Sequence, residues 1–147
     1  MHLKRTLLVT VAACAAVAGP AFTGTAAAAS NVTATSVSTS WGYAKVQAGW
    51  QVNPYKLDPL YMYVEDRDAD GHSVAVRLVT YGDAGTHYFP LHQVSTGVGT
   101  HWDAFSYANP GGWIALARIE LCQMEGSKIL TCVGSSNMKP PFDDSSV

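Results

Sequence analysis

Period-two alternation, broken at short intervals by Gly, Pro, Asn and Asp, constrains this chain more than any other feature. Over residues 41–52, Ala44, Val46, Ala48, Trp50 and Val52 fall on one side of an extended strand, with Lys45, Gln47 and Gln51 on the other. Further strands are expected over residues 60–66, 72–81, 86–92, 100–107, 113–124 and 128–134. Asn53-Pro54 and Asp58-Pro59 bracket a loop, Asn109-Pro110-Gly111-Gly112 makes a turn, and Pro90 marks an edge strand or bulge because it cannot donate to a ladder. No stretch carries a helical period. The fold expected is all-β: a single antiparallel β-sandwich or small barrel of about seven strands over residues 41–134.

The flanks differ in composition. Lys4 and Arg5 precede an uncharged run rich in Leu, Val and Ala, which Gly19-Pro20 closes. Ala27-Ala28-Ala29 then supplies small residues for a signal peptidase. Residues 1–29 read as a signal peptide cut before Ser30, and the apolar run is shorter than the about 20 residues a membrane span needs. Val11-Ala12-Ala13-Cys14 also matches a lipoprotein box, but the apolar stretch continues past Cys14, which favours ordinary cleavage. Residues 30–40, with 7 Ser or Thr among 11, are expected as a flexible lead-in, and residues 135–147 as a tail.

Removing Lys4 and Arg5 from the 9 basic residues leaves 7 against 11 acids, a net charge of −4 for the exported chain. With no basic stretch, nucleic acid and anionic membranes are disfavoured as partners. Of the three cysteines, Cys14 leaves with the signal. Cys122 and Cys132 remain, and in an oxidising compartment such a pair reads as a disulfide. The hairpin holding them sets two local rules against each other. Gly126-Ser127 favours a two-residue type II′ turn with Glu125 opposite Lys128, but that register puts the two sulfurs on opposite faces. Either a three-residue loop or a bulge between turn and cysteines restores the bridge.

The run Ala69-Asp70-Gly71-His72-Ser73-Val74-Ala75-Val76-Arg77-Leu78, the strand ending Arg118-Ile119-Glu120-Leu121-Cys122, and Cys132 resemble parts of small secreted β proteins of actinobacteria. The resemblance implies export and a β fold. It implies no activity.

Three constellations bear on chemistry. Asp66-Arg67-Asp68-Ala69-Asp70-Gly71 has the DxDxDG form of a calcium loop, so Asp66, Asp68 and Asp70 are candidate calcium ligands. However, Arg77 stands where the bidentate acid should be. A hairpin loop of Ala69-Asp70-Gly71, pairing Val64 with Val76, accounts for the same residues without an ion and is favoured; on that reading no cofactor is needed. His72, His87, His92 and His101 lack metal-site spacing, and His101 with Asp103 would need a distant serine to make a hydrolase. Strand parity turns Trp41, Tyr43, Tyr61 and Tyr63 outward, a set suited to sugar rings or a protein partner. The function expected is that of a secreted non-catalytic binding module for an extracellular carbohydrate or protein. The alternatives are an enzyme inhibitor presenting residues 123–128 on its disulfide staple, and a small secreted hydrolase.

Overall fold

The computed structural model describes residues 31–52, 55–95 and 97–142, so the expected signal peptide, with Cys14, lies outside the described residues. The described residues form nine strands: β1 (Val32–Ser38), β2 (Gly42–Val52), β3 (Tyr55–Asp66), β4 (Ser73–Gly82), β5 (Gly85–Tyr88), β6 (His92–Gln93), β7 (His101–Ala108), β8 (Ile114–Glu125) and β9 (Lys128–Gly134). Two antiparallel sheets result. One has the order β1-β2-β3-β7; the other has β5-β4-β8-β9, with β6 also paired to β4. They stack as a β-sandwich, as the alternation demands.

The core is the sum of the two inner faces. Ala44, Val46 and Ala48 of β2 with Leu60, Met62 and Val64 of β3 meet Val74, Val76 and Leu78 of β4 with Ala117, Ile119 and Leu121 of β8, all nearly without solvent exposure. Trp102 of β7 and His92 of β6 stack at 4.2 Å and 9°, closing the gap between one edge of each sheet. Burial there lowers the His92 pKa, because the charged imidazolium loses its hydration.

The single strand expected over residues 86–92 is instead two, β5 and β6, which both pair with β4 and are separated by the segment that holds Pro90. At the β2–β3 crossing the register shifts between Ala48 and Trp50, beside the cis Asp58-Pro59 bond. Gly49 is required there: a Cβ would lie 2.8 Å from the Asp58 carbonyl oxygen and 2.9 Å from Pro59 Cδ. Pro59 thus belongs inside β3 and not to the loop that its sequence suggested; Asn53 and Pro54 lie outside the described residues.

Three other expectations are corrected. The lead-in is β1, paired along its whole length with β2. The tail is docked at least to residue 142. Met138 exchanges backbone hydrogen bonds with Ala117 at 2.7 and 3.0 Å and is buried in the core, and Phe142 packs against it. The reason is an open end: β9 pairs β8 only between Glu120 and Glu125, so the first half of β8 needs another partner. Residues 143–147 lie outside the described residues.

The third correction matters most. β3 and β4 are not a hairpin; the link between them crosses from one sheet to the other. β3 is already paired on both edges, by β2 and β7, and offers β4 no free side. Residues Ser73–Thr80 of β4 are buried except for Arg77, the signature of a central strand covered on both faces. At the other hairpin, Cys122 and Cys132 lie directly opposite and are bridged, Glu125 faces Lys128 across Gly126-Ser127, and a register shift between Gln123 and Met124 reconciles the two. Gly126 has φ 58°, and among the described residues positive φ occurs only at glycines, so Ser127 has negative φ, as a type II′ turn requires.

Candidate functional site

The outer face of the four-stranded sheet is built from three complete cross-strand rows. Ser38, Tyr43, Glu65 and His101 form one; Ser36, Lys45, Tyr63 and Asp103 the next; Ala34, Gln47, Tyr61 and Phe105 the third. Alternation along β2, β3 and β7 puts their large side chains on this face, because the intervening residues fill the core.

The rings touch both within a row and between neighbouring rows. Tyr43 and Tyr63 have centroids 6.1 Å apart, Tyr61 and Phe105 4.9 Å, and the His101 ring stacks on Tyr63 at 5.7 Å. The Lys45 ammonium lies 5.2 Å from the Tyr63 centroid and 5.8 Å from that of Tyr61, while the Arg67 guanidinium covers Tyr43 at 4.5 Å. Partial burial, then the carboxylates of Asp103 and Glu65, raise the Tyr61 and Tyr63 pKa values above the usual phenol range. Both therefore stay protonated at neutral pH and remain hydrogen-bond donors. Phe105 and Tyr107 are the outliers: 75% and 67% exposed, on the edge strand of the sheet. At the opposite edge, small side chains of β1 face large ones of β2 and leave a groove of about 280 Å³.

The expected set of Trp41, Tyr43, Tyr61 and Tyr63 is thus brought together in part. Tyr43, Tyr61 and Tyr63 share the face. Trp41 does not: it precedes β2, is partly buried and packs against the core. The expected partners also change, since Tyr63 faces Lys45 and Asp103, and not Arg77, while Tyr61 faces Gln47 and Phe105, and not Val79. Sequence reasoning did not place His101, Phe105 or Tyr107 on this face, and weighed His101 only as a catalytic residue with Asp103. The period-two signal exists over residues 101–107, but the inward positions hold only Trp102 and the small Ala104 and Ser106, so no apolar stripe says which side of the strand faces out.

The Asp66-Asp68-Asp70 segment is occupied with structure. The Asp66 side chain is buried, and its two oxygens accept the backbone N–H groups of Asp68 at 3.1 Å and Gly97 at 3.0 Å. Its backbone N–H donates to Thr100 and its carbonyl accepts from Gly99, so it fastens the inter-sheet link to the loop before β7. Asp70 accepts the His72 backbone N–H at 2.8 Å and the Gln123 side chain at 2.6 Å; the first of these leads in holding its pKa below the usual range. The Asp66 and Asp70 carboxylates serve different partners, and among the described residues the three aspartates do not gather into a ligand group. Among the described residues, the grouped potential metal ligands are Glu120, Cys122 and Cys132, whose sulfurs are bonded to each other.

The histidines are dispersed: His72 sits beside Asp70, His87 against Phe89, His92 on Trp102 and His101 on Tyr63. His101 and Asp103 do share the outer face, where Asp103 bears on the Tyr61 hydroxyl. The turn at Gly126-Ser127 is held back by Gln93, which donates to the Gly126 carbonyl at 2.8 Å. Comparison with protein-family models, curated proteins and solved structures finds no match to this chain.

Proposed function

We propose that the protein is an exported, non-catalytic binding module that holds an extracellular ligand against the outer face of its four-stranded sheet. The single observation that carries this reading is the outward aromatic row set ending in Phe105 and Tyr107. Burying these rings would recover apolar surface that folding leaves in water, while burying the rest of the face adds hydrogen-bonding groups. Export rests on the signal-like residues 1–29 and accords with the Cys122–Cys132 bridge. The inhibitor reading draws less support, because a two-residue turn tied back by Gln93 has no extended segment to lay into a cleft. The hydrolase reading draws less support as well, because the described histidines lie apart, beside Asp70, Phe89, Trp102 and Tyr63.

The test is retention on immobilised extracellular polysaccharides and secreted proteins. Retention of the native protein and its loss in Phe105→Ala/Tyr107→Ala, with unchanged melting, is the expected result. Retention that survives the double substitution would defeat the reading. The intact mass of protein recovered from the medium should correspond to a chain starting at Ser30.

A further inference from the structure

We propose, resting on that reading of the face, that the ligand is a neutral glycan chain laid across the strands, along the row Ala34–Gln47–Tyr61–Phe105. Three features of the row point to this chemistry. First, it is graded in height. Phe105 projects at one edge against Tyr61, and Ala34 opens the groove between β1 and β2 at the other, whose walls include Tyr43, Lys45 and Gln47. Strands lie about 4.8 Å apart, so the row spans roughly 14 Å, the scale of a short oligosaccharide.

Second, the polar groups of this row and of the adjoining Ser36–Lys45–Tyr63–Asp103 row suit hydroxyls. The Gln47 amide and the Ser36 hydroxyl each donate and accept, Tyr61 stays a protonated donor, and Asp103 accepts. The backbone beneath them is paired within the β1–β2–β3–β7 ladders, so a peptide strand lying on the face would find no main-chain partners there. The groove floor of Ala34 and Ser36 offers no deep pocket for an apolar side chain.

Third, the charges of the face cancel locally. Arg67 pairs with Glu65 at 3.4 Å and covers Tyr43; Lys45 sits over two rings, in the same row as Asp103. Two cations and two carboxylates leave no field of one sign to collect an acidic polymer.

The test is titration of the full exported chain, by calorimetry, with hexamers of β-1,4-glucose, β-1,4-N-acetylglucosamine and α-1,4-glucose. Oligogalacturonate and a pool of extended peptides serve as acidic and peptide probes. At least one neutral hexamer should bind, indifferent to salt, and trimers to tetramers should approach its affinity while the monosaccharide does not. Ala34→Leu and Ser36→Leu raise the groove floor without touching a ring, and each should weaken binding at least tenfold with unchanged melting; two variants guard against one misfolding. Binding of none of the neutral hexamers, preference for the acidic or peptide probe, or indifference to both groove variants would overturn the proposal. If Phe105→Ala abolishes retention of some other ligand while the glycans fail, the binding face stands and its glycan assignment falls. If Phe105→Ala has no effect on any retained ligand, both fall.

Discussion

The two outer faces of the sandwich use the same kinds of side chain to opposite ends. On the five-stranded sheet, Arg77 donates twice to one Glu120 oxygen at 2.7 and 2.9 Å, and Arg118 donates to the other at 2.9 Å. The Tyr88 ring covers Arg77 and the Tyr81 ring faces Arg118, while Ala75, Met124, Leu91 and the disulfide form a small second core beside them. Charge meets charge and rings cap guanidinium groups, so the centre of this face is closed, while Tyr88 at one edge and Ile129 and Leu130 at the other stay exposed. On the four-stranded sheet, tyrosines, cations and carboxylates recur in open rows, with Phe105 and Tyr107 standing clear and a groove along β1. The centre of one face consolidates the fold; the other leaves its most exposed rings, Phe105 and Tyr107, beside open polar groups. That asymmetry is the main argument for where a ligand goes.

If this division is right, substitutions should sort by face. The largest loss is expected from Glu120→Ala, which leaves two arginines facing each other around a low-exposure site. Breaking such a group costs about 3 kcal/mol, measurable by urea denaturation. Replacing all three members with Met or Leu should restore much of the loss, since an apolar cluster needs no compensation. Wild-type stability in Glu120→Ala would show that the closed face is not closed by these charges. Next is Asp66→Ala, expected to cost about 2 kcal/mol by stranding the N–H groups of Asp68 and Gly97. Hydrogen exchange should quicken over residues 97–100. Calcium should shift melting of the native protein little, because the Asp66 oxygens already serve the chain.

Much of this fold was legible from its residues. Alternation placed most of the strands, and the conflict between Gly126-Ser127 and the cysteine parity correctly demanded a bulge or a longer loop. The rest was hidden for physical reasons. Ser and Thr in β1 alternate no less than its neighbours, but their inward members, Thr33 and Thr35, are only half-buried, so no apolar stripe announces a strand. Asp68-Ala69-Asp70-Gly71 is a good turn sequence, and turn chemistry alone does not say whether the next strand returns to the same sheet. The nearly unbroken apolar run Val74-Ala75-Val76 followed by Leu78-Val79 was the available clue, since a strand buried on both faces does not belong in a half-exposed hairpin. For the proposed binding face, parity found Tyr43, Tyr61 and Tyr63. It misplaced Trp41, which lies just outside β2 and so does not follow that strand's alternation.

A smaller effect concerns acid. Burial against Trp102 depresses the His92 pKa, so the folded chain takes up this proton later than the unfolded chain as pH falls. The sign follows: the full contribution is present above the unfolded value of about 6.5 and is lost as pH falls below it. His92→Phe should flatten that part of the stability profile measured between pH 7 and 5. An unchanged slope would assign the acid sensitivity elsewhere. The smallest expected effect is on the stability of Phe105→Ala, within about 0.5 kcal/mol, because the ring is mostly in water already. A larger loss would mean that the open face also consolidates the fold.

The division of labour between the faces is tested most directly by mapping backbone amide shifts in solution as a retained ligand, or the tightest-binding neutral hexasaccharide, is added. The account predicts changes confined to β1, β2, β3 and β7, centred on Ala34, Gln47, Tyr61 and Phe105, with β4, β8 and β9 silent. Changes centred on Arg77, Glu120 and Arg118, or on the Gly126-Ser127 turn, would contradict it.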